Sequence, residues 1–178
     1  IDDYLYCEQI GKSAKEPVLA VRYLSAEKFA GGILAVGNHV ANFCDNVGLL
    51  TFLGMEDAQE DFVQQHVKSN VEKMFLYKKN SPTIVKRRFV ENYLLQKLFE
   101  VYVMNDEELY ETENKALCTK LRETLPLYDA VIVADYGHGM LTGDAIDILC
   151  TQAPFLALNT QANAGNRGFN TISKYPRA

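Results

Sequence analysis

The polar and apolar positions alternate between extended and helical spacing along the chain. From Pro17 to Ala30, Val18, Leu19, Val21, Tyr23 and Leu24 follow no helical period and predict a strand, which Gly31-Gly32 ends. Leu34, Val36, Val40 and Phe43 then fall on one helical face, with Asp45-Asn46 near its end and Gly48 ahead of a strand over Leu49–Leu53. A second helix is predicted over Asp57–Lys68, with Ala58, Phe62, Val63 and His66 at helical spacing, followed by a short strand at Val71–Tyr77. Thr83–Glu91 and Leu94–Val103 alternate and are rich in β-formers, so with Asn92-Tyr93 between them they predict a hairpin.

Further along, Asn105 with Glu108 three residues later matches a capping box, and Leu109, Leu117, Leu121 and Leu125 line a helix face until Pro126. Asp129–Ala134 is a continuous apolar run, the pattern of a strand buried on both faces; Thr142–Cys150 predicts a helix and Pro154–Leu158 another buried strand. No repeat or low-complexity linker interrupts this order. The expected fold is α/β: a parallel sheet flanked by helices, with a small antiparallel lid from residues 17–30 and 83–103 and a core from 1–16, 31–82 and 104–178.

The 178 residues, 48% hydrophobic and 23% charged, suit one globular domain with a substantial core. A net charge of -5 gives no general attraction to nucleic acid or acidic lipid, but leaves room for local anion sites. No apolar stretch approaches the roughly 20 residues of a membrane span and no leader pattern is present, so the expectation is a cytoplasmic protein with neither membrane nor nucleic acid as partner. Cys7, Cys44, Cys118 and Cys150 are widely spaced, which favours buried free thiols over disulfides or a zinc site. Ile1 is not an initiator methionine and Ala178 closes the chain in a basic loop, so the chain reads as part of a larger protein, an incomplete domain whose exposed sheet edge favours oligomerisation.

In open α/β sheets ligands collect beyond the carboxyl ends of the strands, which singles out Asp2, Asp135 and Asn159. Asp2 is either an acceptor for two vicinal hydroxyls or a turn aspartate. Gly31-Gly32 either allows a ligand close to the backbone or is a plain turn. Lys86 and Arg88 share one face of a strand, with Arg87 on the other, and form either a phosphate grip or a solvated basic edge. His138 is either a donor whose charge changes near neutrality or an ordinary loop histidine. The Asn- and Gly-rich stretch from Ala162 to Asn170 is either a loop or an anion pocket containing Arg167. Gly11-Lys12-Ser13 is not a P-loop, since Tyr6 stands where its first glycine is needed, and no Gly-x-Gly-x-x-Gly fingerprint occurs.

Gly31-Gly32, Pro82-Thr83-Ile84-Val85-Lys86-Arg87-Arg88 and Asp135-Tyr136-Gly137-His138-Gly139 together resemble the ribokinase-like (PfkB) carbohydrate kinases, most closely the heptose phosphate kinase domain of bifunctional ADP-heptose synthases. The resemblance implies a ribokinase-like fold and a sugar or sugar phosphate as substrate, bound by Asp2, Gly31, Gly32, Lys86, Arg88 and Asp135. His138, Asn159, Gln161 and Arg167 would lie on the phosphate or nucleotide side. It also implies a homodimer through the lid or the exposed sheet edge, and ATP with Mg2+ as cofactors of the whole protein, none of them bound to this chain alone.

The chain departs from that family's pattern in several places. Ala35 replaces the sugar-contacting asparagine, His138 a lysine, and Asn159-Thr160-Gln161 an Asp-Pro-Lys. The family's catalytic aspartate, in Gly-Ala-Gly-Asp, does not occur, so no catalytic residue and no metal ligand is expected within this chain. The implied activity is ATP-dependent phosphoryl transfer to a sugar hydroxyl, in nucleotide-sugar synthesis of the ADP-heptose kind. The alternative is a degenerate kinase-like binding or oligomerisation module fused to a nucleotidyltransferase.

Overall fold

The structure, a computed structural model, describes residues 1–177; Ala178 lies outside the described residues. In chain order the elements are β1 (Asp2–Lys12), β2 (Leu19–Phe29), α1 (Ile33–Val40), β3 (Val47–Glu56), α2 (Glu60–His66), β4 (Val71–Pro82), β5 (Val85–Glu91) and β6 (Lys97–Val103). They continue as α3 (Glu111–Thr124), β7 (Val131–Asp135), α4 (Gly143–Gln152) and β8 (Leu156–Thr160), with single 3-10 turns at Leu125–Leu127 and Ile172–Lys174.

The lid is a four-stranded sheet in the order β2-β1-β5-β6. It contains both segments expected in it, with two corrections. Residues 2–12 belong to the lid and not to the core, and the sheet is mixed, because β1 runs parallel to β5 with Asp2 opposite Lys86 and Asp3 opposite Arg87. That register places Arg87 Nε 2.9 Å from the buried Asp3 Oδ2 on one face, and Arg88 with Asp2 on the other. The β5–β6 connection is also longer than the two residues expected. It spans residues 92–96, with Leu95 at φ 53°, and the Glu91 carboxylate accepts the backbone N–H groups of Tyr93 (3.0 Å) and Leu94 (2.7 Å).

The core strands are not one continuous sheet: β3 pairs in parallel with β4, β7 pairs in parallel with β8, and the two pairs are separate. Leu34, Leu49, Leu53, Val63 and Val71 pack α1 and α2 against the first pair. Leu117, Leu121, Val133, Ile146, Leu149 and Leu156 pack α3 and α4 against the second. β4 extends five residues past the predicted strand, to Pro82, and so runs directly into the lid.

Helix α3 starts later than the Asn105–Glu108 pattern predicts. Asn105 Oδ1 accepts from Glu107 N in a turn, whereas Glu113 Oε2 accepts from Tyr110 N (2.9 Å) and closes the helix start. The other Glu113 oxygen accepts from Lys79 N (2.7 Å), so the residue that caps α3 also fixes it to β4. A partner on another strand decides this boundary, which local spacing does not encode. Thr142 caps α4 by accepting from Ala145 N at 3.2 Å.

All four cysteines are free thiols; Cys7, Cys118 and Cys150 are buried, but Cys44 is exposed, against expectation. Among the described residues no helix is long and apolar enough to cross a membrane.

Candidate functional site

Strands β3, β4 and β7 all point their carboxyl ends toward the lid. β4 leads into β5 within three residues, β3 ends with Glu56 opposite Pro82, and the Tyr136 ring after β7 approaches Gly32. At this junction a cavity of about 1120 Å³ is lined by Asp2, Gly31, Gly32, Lys86, Arg88, Asp135, His138 and Gln161. Asn159 and Arg167 do not line it; both are exposed.

Arg88 is fixed on two sides. Its Nη1 lies 2.6 Å from Asp2 Oδ1, its Nε 3.1 Å from Glu100 Oε1, and the guanidinium stands 5.2 Å from the centre of the Tyr4 ring. Only 15% of the side chain is exposed, so the charge is held rigidly at the cleft. Asp2 Oδ2 takes no part in this pairing and forms no hydrogen bond among the described residues. It faces Gly31, where a Cβ would lie 2.2 Å away, so only glycine leaves room for this carboxylate. Gly32, at φ 55° and ψ -129°, starts α1 in a conformation open only to glycine.

Lys86 differs from its neighbour. Its ammonium lies 5.1 Å from the centre of the Tyr102 ring and has no hydrogen bond or ion pair among the described residues. Burial lowers its pKa, and the nearby Arg88 charge lowers it further. His138 is the clearest unpaired group. Both ring nitrogens are buried and neither has a hydrogen-bond partner among the described residues. Burial, and then the Lys86 charge, lower the His138 pKa, so the ring is neutral at pH 7 with one donor and one acceptor unspent. Buried polar atoms are almost always satisfied, so this pair stands out, but both nitrogens are shut off from solvent and a ligand in the cavity reaches neither unless the ring turns.

Asp135 does not present a free carboxylate to the cavity, contrary to the expectation of a direct sugar contact. Oδ2 accepts from Tyr175 (2.7 Å) and Lys174 (2.6 Å), Oδ1 from Gly137 N (2.9 Å) and Asn170 Nδ2 (3.3 Å), and the side chain is 4% exposed. Burial pushes its pKa up, but the hydrogen bonds from Lys174, Tyr175 and Gly137 outweigh this and hold the carboxyl below its ordinary range. Tyr175 is raised in turn by burial and by Asp135. The side-chain partners lie 35 to 40 residues downstream, where no local pattern reveals them.

The stretch from Ala162 to Asn170 is a self-supporting loop and not an anion pocket. Asn163 and Asn166 donate to Tyr136 O, Asn166 and Asn170 donate to Gln161 O, and Asn163 Oδ1 accepts from Gly165 N and Asn166 N. These amides are spent within the loop, and no cluster of three metal-ligating side chains occurs among the described residues. Sequence reasoning missed Lys78, which is buried and donates to Asn105 O (2.9 Å) and Glu107 O. It pins the connection between the lid and α3 against the cavity, and a lysine in an otherwise polar strand end gives no signal of that.

No family model matches the chain. The bifunctional protein HldE of a Nitratiruptor species is 28% identical over 144 residues, 80% of this chain and 30% of that protein. The HldE protein of Campylobacter jejuni is 27% identical over 175 residues, 97% of this chain and 36% of that one. Among solved structures, Escherichia coli phosphofructokinase-2 in complex with fructose-6-phosphate matches with a TM-score of 0.64 at 11% identity, covering 92% of this chain and 52% of that one. Ribokinase from Giardia lamblia matches at 0.59 and 11% identity, covering 98% and 55%. The chain has the ribokinase-like fold and is a relative of the HldE proteins. It spans about a third of the length of these curated relatives and about half of the solved structures. In this ribokinase-like chain the cavity under the lid is built by the lid strands, the Gly31-Gly32 turn and the end of β7 together.

Proposed function

We propose that this chain is the lid-bearing, sugar-binding portion of a carbohydrate kinase that transfers phosphate from ATP to a hydroxyl of a sugar phosphate, in synthesis of an ADP-heptose-like nucleotide sugar. The observation that carries the reading is the cavity wall on which Asp2 Oδ2 and the Lys86 ammonium lie unpaired. The HldE relatives and the phosphofructokinase bound to fructose-6-phosphate support the same class of ligand.

Each group has a distinct task. Asp2 Oδ2 accepts from a sugar hydroxyl, its carboxylate seated in the room left by the missing side chain of Gly31. Lys86 neutralises the phosphate already on the sugar, while Arg88, whose Nη1 and Nε are committed to Asp2 and Glu100, orients Asp2 and keeps its Nη2 donors unspent. Asp135 holds the loop after β7 in place through Gly137 and the Asn170–Tyr175 segment. ATP and Mg2+ are assigned to the remainder of the longer protein. A homodimer through the lid belongs to the same reading, because β2 is an edge strand exposed along its length.

The test is calorimetry on the full-length protein with a sugar phosphate and its unphosphorylated counterpart. Lys86→Gln is expected to weaken the phosphate ester by about 10- to 100-fold and the free sugar little, the loss typical of a charge-assisted bond. Equal losses, or none, would remove Lys86 from the phosphate site. Sugar phosphate binding without ATP-dependent phosphorylation would replace the kinase by a binding module.

A further inference from the structure

Tyr136 follows β7 directly, and its side chain lines the cavity beside the Gly31-Gly32 turn. The phenol end of the ring is what meets that turn: a Cβ on Gly32 would lie 3.7 Å from Tyr136 Cε2 and 3.9 Å from Cζ, the carbon that bears the hydroxyl. Asp2 sits against the neighbouring Gly31, and its charge reaches the phenol, since burial first and then Asp2 raise the Tyr136 pKa. At pH 7 the phenol keeps its proton and has one donor to give. That hydroxyl forms no hydrogen bond among the described residues, and unlike the nitrogens of His138 it is not closed off from solvent.

The main chain around it is held on both sides. Tyr136 O accepts from Asn163 Nδ2 (2.8 Å) and from Asn166 Nδ2 (3.1 Å), and the following Gly137 N donates to Asp135 Oδ1 (2.9 Å). Gly137 turns at φ 67°, and a Cβ there would lie 2.7 Å from Asn166 Nδ2, so the asparagine loop is pressed against the residue after the tyrosine. Both lone pairs of Tyr136 O are filled, which fixes the peptide plane and with it the direction in which the ring leaves the chain.

A carboxylate such as Asp2 can only accept, whereas a neutral phenol has a proton to donate. We propose that Tyr136 is a specificity-determining residue: its hydroxyl donates to the ligand hydroxyl that itself donates to Asp2 Oδ2, so the pair reads one alcohol as acceptor and donor together. Asn163 and Asn166 are positioning residues that aim the ring. This rests on the sugar-binding reading and adds which ligands the site rejects. A deoxy position leaves Asp2 and Tyr136 both unpaired, and a methyl ether in the same place serves Tyr136 but not Asp2. Polar groups left unmatched in a site reject an analogue more strongly than a lost apolar contact does.

The experiment is calorimetry on the full-length protein with a heptose phosphate and its singly deoxygenated analogues. The wild type is expected to bind one of these analogues about 10- to 100-fold more weakly than the parent sugar. Tyr136→Phe, which keeps the ring against Gly32, is expected to lose about 5- to 10-fold on the parent sugar and nothing on that analogue, without a fall in melting temperature. Asn163→Ala should repeat this selective loss, whereas a merely structural role weakens every compound alike; if that variant does not fold, Tyr136→Phe decides alone. Equal losses on all the sugars, or no loss in Tyr136→Phe, overturn the assignment of Tyr136 and leave the sugar site standing. A wild type that binds none of the compounds overturns both.

Discussion

Gly31 and Asp2 are in such close contact that a Cβ on residue 31 would lie 2.2 Å from Asp2 Oδ2 and 2.5 Å from its carboxyl carbon. Twenty-nine positions apart, the two meet because β1 and β2 bring Asp2 opposite Phe29, just ahead of the turn. Gly31→Ala therefore has to displace the carboxylate that orients Arg88. The expected result is a loss of about 1–3 kcal/mol in thermal or denaturant unfolding and weaker sugar binding by calorimetry; unchanged binding would separate Asp2 from the ligand.

Asp135→Asn tests the network after β7. The substitution leaves the Lys174 ammonium without its carboxylate, and that side chain is about one third exposed, so the expected cost is about 1–3 kcal/mol of stability at pH 7. Because the folded carboxyl is held below its unfolded value, its contribution is fully present above the unfolded pKa of about 3.9 and is lost as pH falls through the folded value. The gap between wild type and variant should be constant above about pH 5 and close below about pH 4. A gap that instead widens on acidification would contradict this assignment.

His138 acts in the same direction as Asp135, losing stability on acidification, but in a higher pH window. Its folded pKa is lowered by burial and then by Lys86, so between that value and the unfolded value of about 6.5 the unfolded chain binds more protons than the folded one. Stability should therefore fall as pH drops below about 6.5, and His138→Gln should abolish that part of the decline. Melting curves at pH 7.5 and 5.5 give the comparison, and an identical acid decline in the variant would assign it elsewhere.

Leu117 is fully buried on α3, in the cluster that joins α3, α4, β7 and β8. Leu117→Ala should cost about 2–5 kcal/mol, read as a lower denaturant midpoint at unchanged slope. A loss under about 1 kcal/mol would mean that the helix layer collapses around the gap.

The lid provides the oligomerisation test. Tyr23 and Leu24 on the edge strand β2 are 61% and 44% exposed, at the bulge where the pairing with β1 shifts register. Sedimentation velocity is expected to give a dimer for the wild type and a monomer for the double variant Tyr23→Glu with Leu24→Lys. A wild-type monomer at micromolar concentration would exclude the lid as a dimer contact.

The chain by itself determined the order of strands and helices from β2 onward, because burial imposes periods of two and 3.6 on apolar residues wherever an element has one buried face; β1, with most of its residues exposed or half-buried, gave no such period. Local spacing also placed Lys86 and Arg88 on one strand face, and Gly31-Gly32 between a strand and a helix. Tertiary structure alone decided which sheet β1 joins, since the parallel pairing of Asp2 with Lys86 spans 84 positions and leaves no local trace. It likewise gave the Asp135 carboxylate to Tyr175 and Lys174, left His138 without partners, and separated β3 from β7 by an open slot. Periodicity reports which face of an element is buried, but the choice of partner depends on contacts between residues far apart in the chain, and those form only when the elements pack.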